Sequence, residues 1–384
     1  MHLFLNPRVD RAAAYPHDAI LSAAGHADAL AEIAAWPGYR PTPLRALPRL
    51  AAQLGLAGIR YKDEAERFHL KSFKALGGAY AVLRLLQREL GLDAAAVRAG
   101  AAAAKTITVA SATDGNHGRS VAWGARMFGC ACVIYIHEGV SEGRERAIAA
   151  FGAEVRRVPG NYDDSVRRCA AEAAANGWHV VSDTSYEGYM AVPREVMQGY
   201  TVLAGEAAEQ LGGESPSHVF VQGGVGGLAA AVLSHFWQLR GADRPRAVVV
   251  EPEPADCLYQ SAAAGRPAPA TGDLQTIMAG LSCGEVSPLA WTVLADGADA
   301  FMTVADDAAI EAMRLLAELE HVVGGESGVA GLAGLIAACR DREARAALGL
   351  DAHSRVLLIG SEGDTDPALY ARLVGRSAEA VRAT

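Results

Sequence analysis

The feature that most constrains this chain is a regular alternation of short, near-continuously apolar runs rich in β-branched residues with Ala-rich segments of helical period. Candidate strands fall at 107–112, 132–136, 154–158, 179–182, 218–222, 247–251 and 356–359. Amphipathic stretches at 79–90, 120–128, 142–151, 164–176, 227–239 and 308–320 lie between several of them. Strands that are apolar on both faces and separated by helices read as parallel strands covered on both sides. The expected class is α/β, each domain a mostly parallel sheet flanked by helices. At 384 residues the chain exceeds one small module, so two domains are expected. One is read as inserted into the other: residues 1–80 with 194–384 form a large domain and residues 81–193 a smaller one.

Composition removes several function classes. Hydrophobic residues make up 51% and charged residues 21%, enough for a sizeable core and against whole-chain disorder. A net charge of −9 argues against a nucleic-acid or anionic-membrane partner. Six cysteines without a CxxC pair, and no histidines at ligand spacing, give no reason to expect a disulfide scaffold or a metal. Val219–Leu239 has no Asp, Glu, Lys or Arg, but its four glycines, Gln222, His235 and Gln238 read as a strand, a loop and a buried helix, not a membrane span. The opening MHLFLNPRVDRAAAYP lacks a basic segment followed by a long apolar one, so no signal peptide is expected and the cytoplasm is the default location.

Only Lys62, Lys71, Lys74 and Lys105 are lysines; every other basic residue is arginine, which does not deprotonate in proteins. Any amine nucleophile therefore comes from these four. Lys71-Ser72-Phe73-Lys74-Ala75-Leu76-Gly77-Gly78 reads as a helix start with Ser72 available to cap it and Lys74 in the first turn. The positive end of the helix dipole there disfavours an ammonium and supports a neutral amine. The bland alternative is a pair of solvated lysines, which suffices for Lys71.

Three loops follow the carboxyl ends of expected strands, where ligands bind in open parallel sheets. Ser111-Ala112-Thr113-Asp114-Gly115-Asn116-His117-Gly118 is dense in donors suited to a carboxylate or phenolate oxygen. Asp114 is an odd acid for an anion-binding loop unless it handles a proton or an ammonium. The plain reading of Asp-Gly-Asn is a turn, and of His117 a packed histidine. Gly223-Gly224-Val225-Gly226-Gly227 opens a helix and suits a phosphate cradle. The same loop also fits a dinucleotide fingerprint through Gly224, Gly226 and Ala229, with Glu251 standing for the ribose-binding acid. The third loop, Gly360-Ser361-Glu362-Gly363-Asp364, offers a hydroxyl or an ordinary turn.

Taken together, these segments resemble the fold-type II pyridoxal-phosphate enzymes, the tryptophan synthase β-like group. Within it they resemble the branch that eliminates ammonia from 2,3-diaminopropionate. The shared words are Lys62-Asp63-Glu64, FKALGGAY from Phe73, ATDGNHGRSVAW from Ala112, DTSYEGY from Asp183, MQGY from Met197, EPEPADCLYQSA from Glu251, IMAGLSCGE from Ile277 and GESGVAG from Gly325. The resemblance covers about residues 40 to 370. It implies pyridoxal 5′-phosphate joined to Lys74, its phosphate on Gly223, Gly224, Val225, Gly226 and Gly227, Phe73 beside the ring, Asn116 on its phenolate oxygen and Ser361 (or the turn at Gly360) facing its nitrogen. Ser111, Thr113, Asp114 and Asp183 are the implied substrate contacts, and Lys74, Asp114 and Asp183 the implied catalytic groups. Lys74 and Asp114 are expected on opposite faces of the cofactor, one serving each enantiomer, with Asp183 on the substrate's second ammonium. A homodimer is implied, as is a small amino acid as substrate. Cys257 and Cys283 align with family cysteines and are expected reduced. The rival functions are a serine/threonine dehydratase, a non-catalytic ligand-binding protein on the same fold, and a nucleotide-dependent oxidoreductase using Gly224, Gly226 and Glu251.

Overall fold

The computed structural model describes residues 1–113 and 115–383. They form two compact units. One comprises Met1–Ala23, Arg40–Ser72 and Leu203–Thr384; the other comprises Ala24–Tyr39 and Phe73–Val202. The divisions at 72/73 and 202/203 stand beside the sequence-based ones at 80/81 and 193/194, and residues 24–39 join the second unit.

Eleven strands occur among the described residues: β1 (His2–Leu5), β2 (Leu44–Ala46), β3 (Gly58–Asp63), β4 (Thr108–Ala112), β5 (Ala131–His137), β6 (Glu154–Val158), β7 (His179–Val180), β8 (His218–Gln222), β9 (Arg246–Pro252), β10 (Ala300–Val304) and β11 (Arg355–Gly360). In the first unit they order as β1-β10-β9-β8-β11-β3-β2. The five central strands run parallel, and β1 and β2 close the edges antiparallel. In the second unit the order is β6-β5-β4-β7, all parallel. The α/β class follows from the side chains: β8 and β10 are buried at every position, so each needs a cover on both faces. The charge-free stretch from Val219 is β8, a glycine loop and the buried helix Gly227–Arg240. Among the described residues no helix is long and apolar enough to cross a membrane.

β1, β2, β3 and β10 and the helices Ala191–Gln210 and Ala330–Arg340 were not anticipated. The two helices lack amphipathic contrast. Ala330–Arg340 is buried through most of its length, and residues 196–207 are buried all round, so burial erased the polar stripe that marks a surface helix.

A buried charge cluster ties β3 to the end of helix Ala191–Gln210 inside the first unit. Lys62 Nζ donates to Glu206 Oε2 at 2.7 Å, to the Thr42 carbonyl at 2.7 Å and to Gln210 Oε1 at 2.9 Å. Arg67 reaches Glu206 at 2.6 Å and Glu64 at 2.8 Å, and all four charged side chains are sealed from solvent. Burial pushes the Lys62 ammonium down, while the carboxylates of Glu64 and Glu206 oppose it. Two cations face two carboxylates, so the cluster is neutral only when complete. Removing one partner of such a set leaves an uncompensated buried charge. Glu206→Ala is therefore expected to destabilise the fold by about 3–5 kcal/mol, measured as a lowered midpoint of urea unfolding.

Candidate active site

Lys74 is the first residue of helix Lys74–Leu90. Phe73, not Ser72, occupies the cap position, and no side chain caps it. Ser72 instead forms a β-bridge with Glu362. The approach is strained, with Phe68, His69 and Lys71 at positive φ, a region costly for non-glycine residues. It is pinned by Arg67 in the buried cluster, by Lys71 Nζ on Asp364 at 2.6 Å, and by Gly363 N–H donating to the Lys71 carbonyl at 3.0 Å. Lys71 is thus a structural ion-pair partner.

In the second unit Lys74 Nζ donates to Asp183 Oδ2, a close ion pair. The carboxylate of Asp183 stands against the helix dipole at this amine. Burial by itself raises the Asp183 pKa, but the charge of Lys74 and then of His117 overcomes it and holds the carboxyl well below the usual range. His117 is buried, its Nε2 at 2.9 Å from the Val181 carbonyl. That nitrogen must carry the proton, leaving Nδ1 turned to Asp183 at 4.0 Å, beyond a hydrogen bond. Burial lowers the His117 pKa, so it stands as a neutral, packed histidine.

The loop after β4 supplies the remaining polar groups of this unit. Thr113 Oγ1 accepts from the Gly115 and Gly118 amides at 3.0 and 3.1 Å, so it holds the start of helix Asn116–Phe128. The Ser111 hydroxyl is buried without a hydrogen-bond partner among the described residues. Asn116 opens the helix, its Oδ1 accepting from Arg119 at 3.2 Å. Asp114 lies outside the described residues. Phe73 is buried, its ring centroid 5.4 Å from Lys74 Nζ and 4.6 Å from the ring of Tyr200. Tyr200 was not singled out from the sequence. Its only signal there is its place in the MQGY word.

In the first unit β8 ends in the glycine loop. Gly223 N–H donates to the Val250 carbonyl at 2.8 Å and Gly226 N–H to the Gly223 carbonyl at 3.3 Å. The amides of Gly224, Val225 and Gly227 have no acceptor among the described residues. Gly224 and Gly226 sit at φ +64° and +99°, and a Cβ on Gly226 would meet Ala290 and Leu294 at 3.0 Å. A turn that only side-chain-free residues can make thus exposes unpaired donors at the start of a 14-residue helix, a fit for a phosphate. Ser361 follows β11 and is buried; Gln222 Nε2 donates to its Oγ at 3.2 Å, and to the Gly328 and Ile359 carbonyls. Gly360 packs against the Tyr61 ring, leaving Ser361 as the hydroxyl of this turn. Gln222, a polar residue closing an apolar strand, was legible as an anomaly but not as the partner of Ser361.

Glu251 is fully buried and accepts the Leu258 and Tyr259 amides at 3.0 and 2.8 Å. Burial pushes it up to about 8. It therefore serves the start of helix Cys257–Ala264 and is not presented to a ribose, which removes the nucleotide reading of the glycine loop. Cys257 and Cys283 are both reduced, as are the other four cysteines.

Within the first unit the glycine loop with its spare amides suits a phosphate, and within the second the lysine amine paired with a carboxylate suits an aldehyde. The chain belongs to the family of pyridoxal-phosphate dependent enzymes, whose model matches residues 35–362. It is 42% identical over 357 residues to the diaminopropionate ammonia-lyase of Escherichia coli (strain K12), covering 90% of this chain and 89% of that one. The crystal structure of the Escherichia coli enzyme in complex with an aminoacrylate–PLP azomethine reaction intermediate is similar at a TM-score of 0.89, with 38% identity over 97% of this chain and 96% of that one. Its complex with D-serine is similar at 0.90, with the same identity and coverage.

The loop geometry sets a test. Gly226→Ala places a Cβ on a left-handed residue at a strain of about 1–3 kcal/mol, so affinity for pyridoxal phosphate is expected to fall about tenfold or more. Affinity for pyridoxal, which lacks the phosphate, is expected to change little. Fluorescence titration of the cofactor-free protein with each compound checks both.

Proposed function

We propose that this chain is a diaminopropionate ammonia-lyase, converting 2,3-diaminopropionate and one molecule of water to pyruvate and two molecules of ammonia. The observation that carries the reading is the Lys74–Asp183 pair, an amine able to act as base joined to a carboxylate held ionised. Pyridoxal phosphate, when bound, supplies the electron sink for the carbon that loses its proton. On this reading Lys74 holds the aldehyde, Gly223, Gly224, Val225, Gly226 and Gly227 hold the phosphate, Phe73 flanks the ring, Asn116 meets its phenolate oxygen and Ser361 its nitrogen. A serine hydroxyl at that nitrogen stabilises a ring proton less than a carboxylate would, which favours rapid loss of a β-substituent over prolonged charge storage.

Each protein group then has a task that follows from its protonation. Lys74, in its uncharged form, would take the substrate's α-proton. Asp183 stays a carboxylate across the physiological range and receives the substrate's β-ammonium. That ion leaves as ammonia only while it carries its proton, so a carboxylate partner favours the departing form. Ser111 and Thr113 face the substrate carboxylate from the end of β4. Asp114 serves as base for the enantiomer whose α-proton lies on the face away from Lys74. A homodimer in the cytoplasm completes the reading.

The visible absorption of the purified protein and its formation of pyruvate from diaminopropionate are both expected to vanish in Lys74→Ala. Absorption that persists in that variant overturns the role of Lys74. Serine and diaminopropionate are assayed side by side in both enantiomers, and faster turnover of serine would make the protein a dehydratase. Asp114→Asn is expected to lower kcat/KM for one enantiomer by about 10²–10⁴-fold and for the other far less. Equal losses would sink the two-base arrangement.

A further inference from the structure

Tyr200 carries a buried hydroxyl that the reading above leaves unused. The side chain is 1% exposed, and its oxygen has no hydrogen-bond partner among the described residues. Leaving such a group unsatisfied opposes folding, so a buried orphan calls for an explanation. Space is kept for the ring: a Cβ on Gly77 would lie 2.8 Å from Tyr200 Cζ and 2.6 Å from the Val196 carbonyl. Lys74 Nζ stands 5.7 Å from the centroid of the ring, and the Phe73 ring packs tilted against it at 4.6 Å without offering a polar atom. Among the described residues the charged groups around the hydroxyl are Lys74, from the helix it opens, and Asp183, from the loop after β7, with neutral His117 behind Asp183.

We infer that Tyr200 is a positioning residue for Lys74, its hydroxyl donating to the amine in its uncharged form. This rests on the proposed role of Lys74 as base. An ammonium has three donors and no lone pair, so it donates to Asp183 and can offer the phenol oxygen only a proton, which leaves the hydroxyl's own proton without an acceptor among the described residues. An uncharged amine has one lone pair and less attraction to Asp183, and a phenol beside it is the available donor. Burial pushes the Tyr200 phenol up, against the nearby charge of Lys74, so it remains protonated and able to donate. A bond made only to the neutral amine favours that form and keeps the lone pair directed. The unmet hydroxyl of the ion-paired state is then the counterpart of a bond made during turnover.

Tyr200→Phe tests this without disturbing the packing of the ring. The expected result is a kcat about ten- to a hundredfold lower with KM little changed, and an acid limb of the kcat–pH profile moved to higher pH, because the amine loses the bond that lowered its pKa. The cofactor-free protein is expected to melt at the same temperature as wild type or about 1–2 °C higher, since an unsatisfied buried group has been removed. An unchanged kcat and pH profile overturns the inference. So does a lower kcat accompanied by a lower melting temperature, which marks a structural role. Lys74→Ala separates the two failures: if wild type carries its cofactor on Lys74 and Tyr200→Phe behaves like wild type, only the role of Tyr200 falls.

Discussion

The ion pair between Lys74 and Asp183 sets the terms for the surrounding structure. A lysine at the first residue of a helix faces the positive end of the helix dipole, and burial adds to the cost of its charge. Asp183 offsets both, and in return the ammonium keeps a buried carboxyl ionised. Neither group is stable there alone. Around them the fold places aromatic rings and a neutral histidine, so among the described residues no second cation competes for the carboxylate. The strained turn at Phe68, His69 and Lys71 fixes where the helix begins, and its anchors are ion pairs and a carboxylate cluster instead of apolar packing.

The first unit solves a different problem, presenting donors to an anion without closing them on itself. Its glycine loop spends two amides on backbone carbonyls and keeps three that meet no acceptor among the described residues. β8, β9, β10 and β11 are apolar and buried, so the polar exceptions at their ends are conspicuous. Gln222 reaches across to Ser361, and Glu251 turns inward to the helix that follows it. The same sequence word, a glycine loop followed by an acid at the next strand's end, thus supports two chemistries. The direction of one side chain decides between them.

The candidate site residues stand out in the sequence because they are chemically scarce. With four lysines in the chain, a nucleophilic amine had few places to be, and the glycine run could follow a buried strand only as a close-approach turn. Strands β8, β9 and β11 and the amphipathic helices were legible from period and composition. The edge strands β1 and β2 were not: four and three residues leave no room for a pattern. β10 and the helices Ala191–Gln210 and Ala330–Arg340 were missed because apolar residues on every face carry no periodic signal.

The sequence by itself determined the α/β class, the amine, the glycine loop and the order in which they occur, because each depends on residue type and short-range spacing. Only the tertiary structure decided that Lys74 pairs with Asp183, that Glu251 is a buried cap, that Gln222 serves Ser361 and that the ring of Tyr200 is buried close to the amine. Those outcomes depend on which side chains converge from segments as far apart as residues 74 and 183 or 222 and 361. Protonation and hydrogen-bond roles follow from that convergence, since burial and neighbouring charge, not residue type, set the energy of a proton.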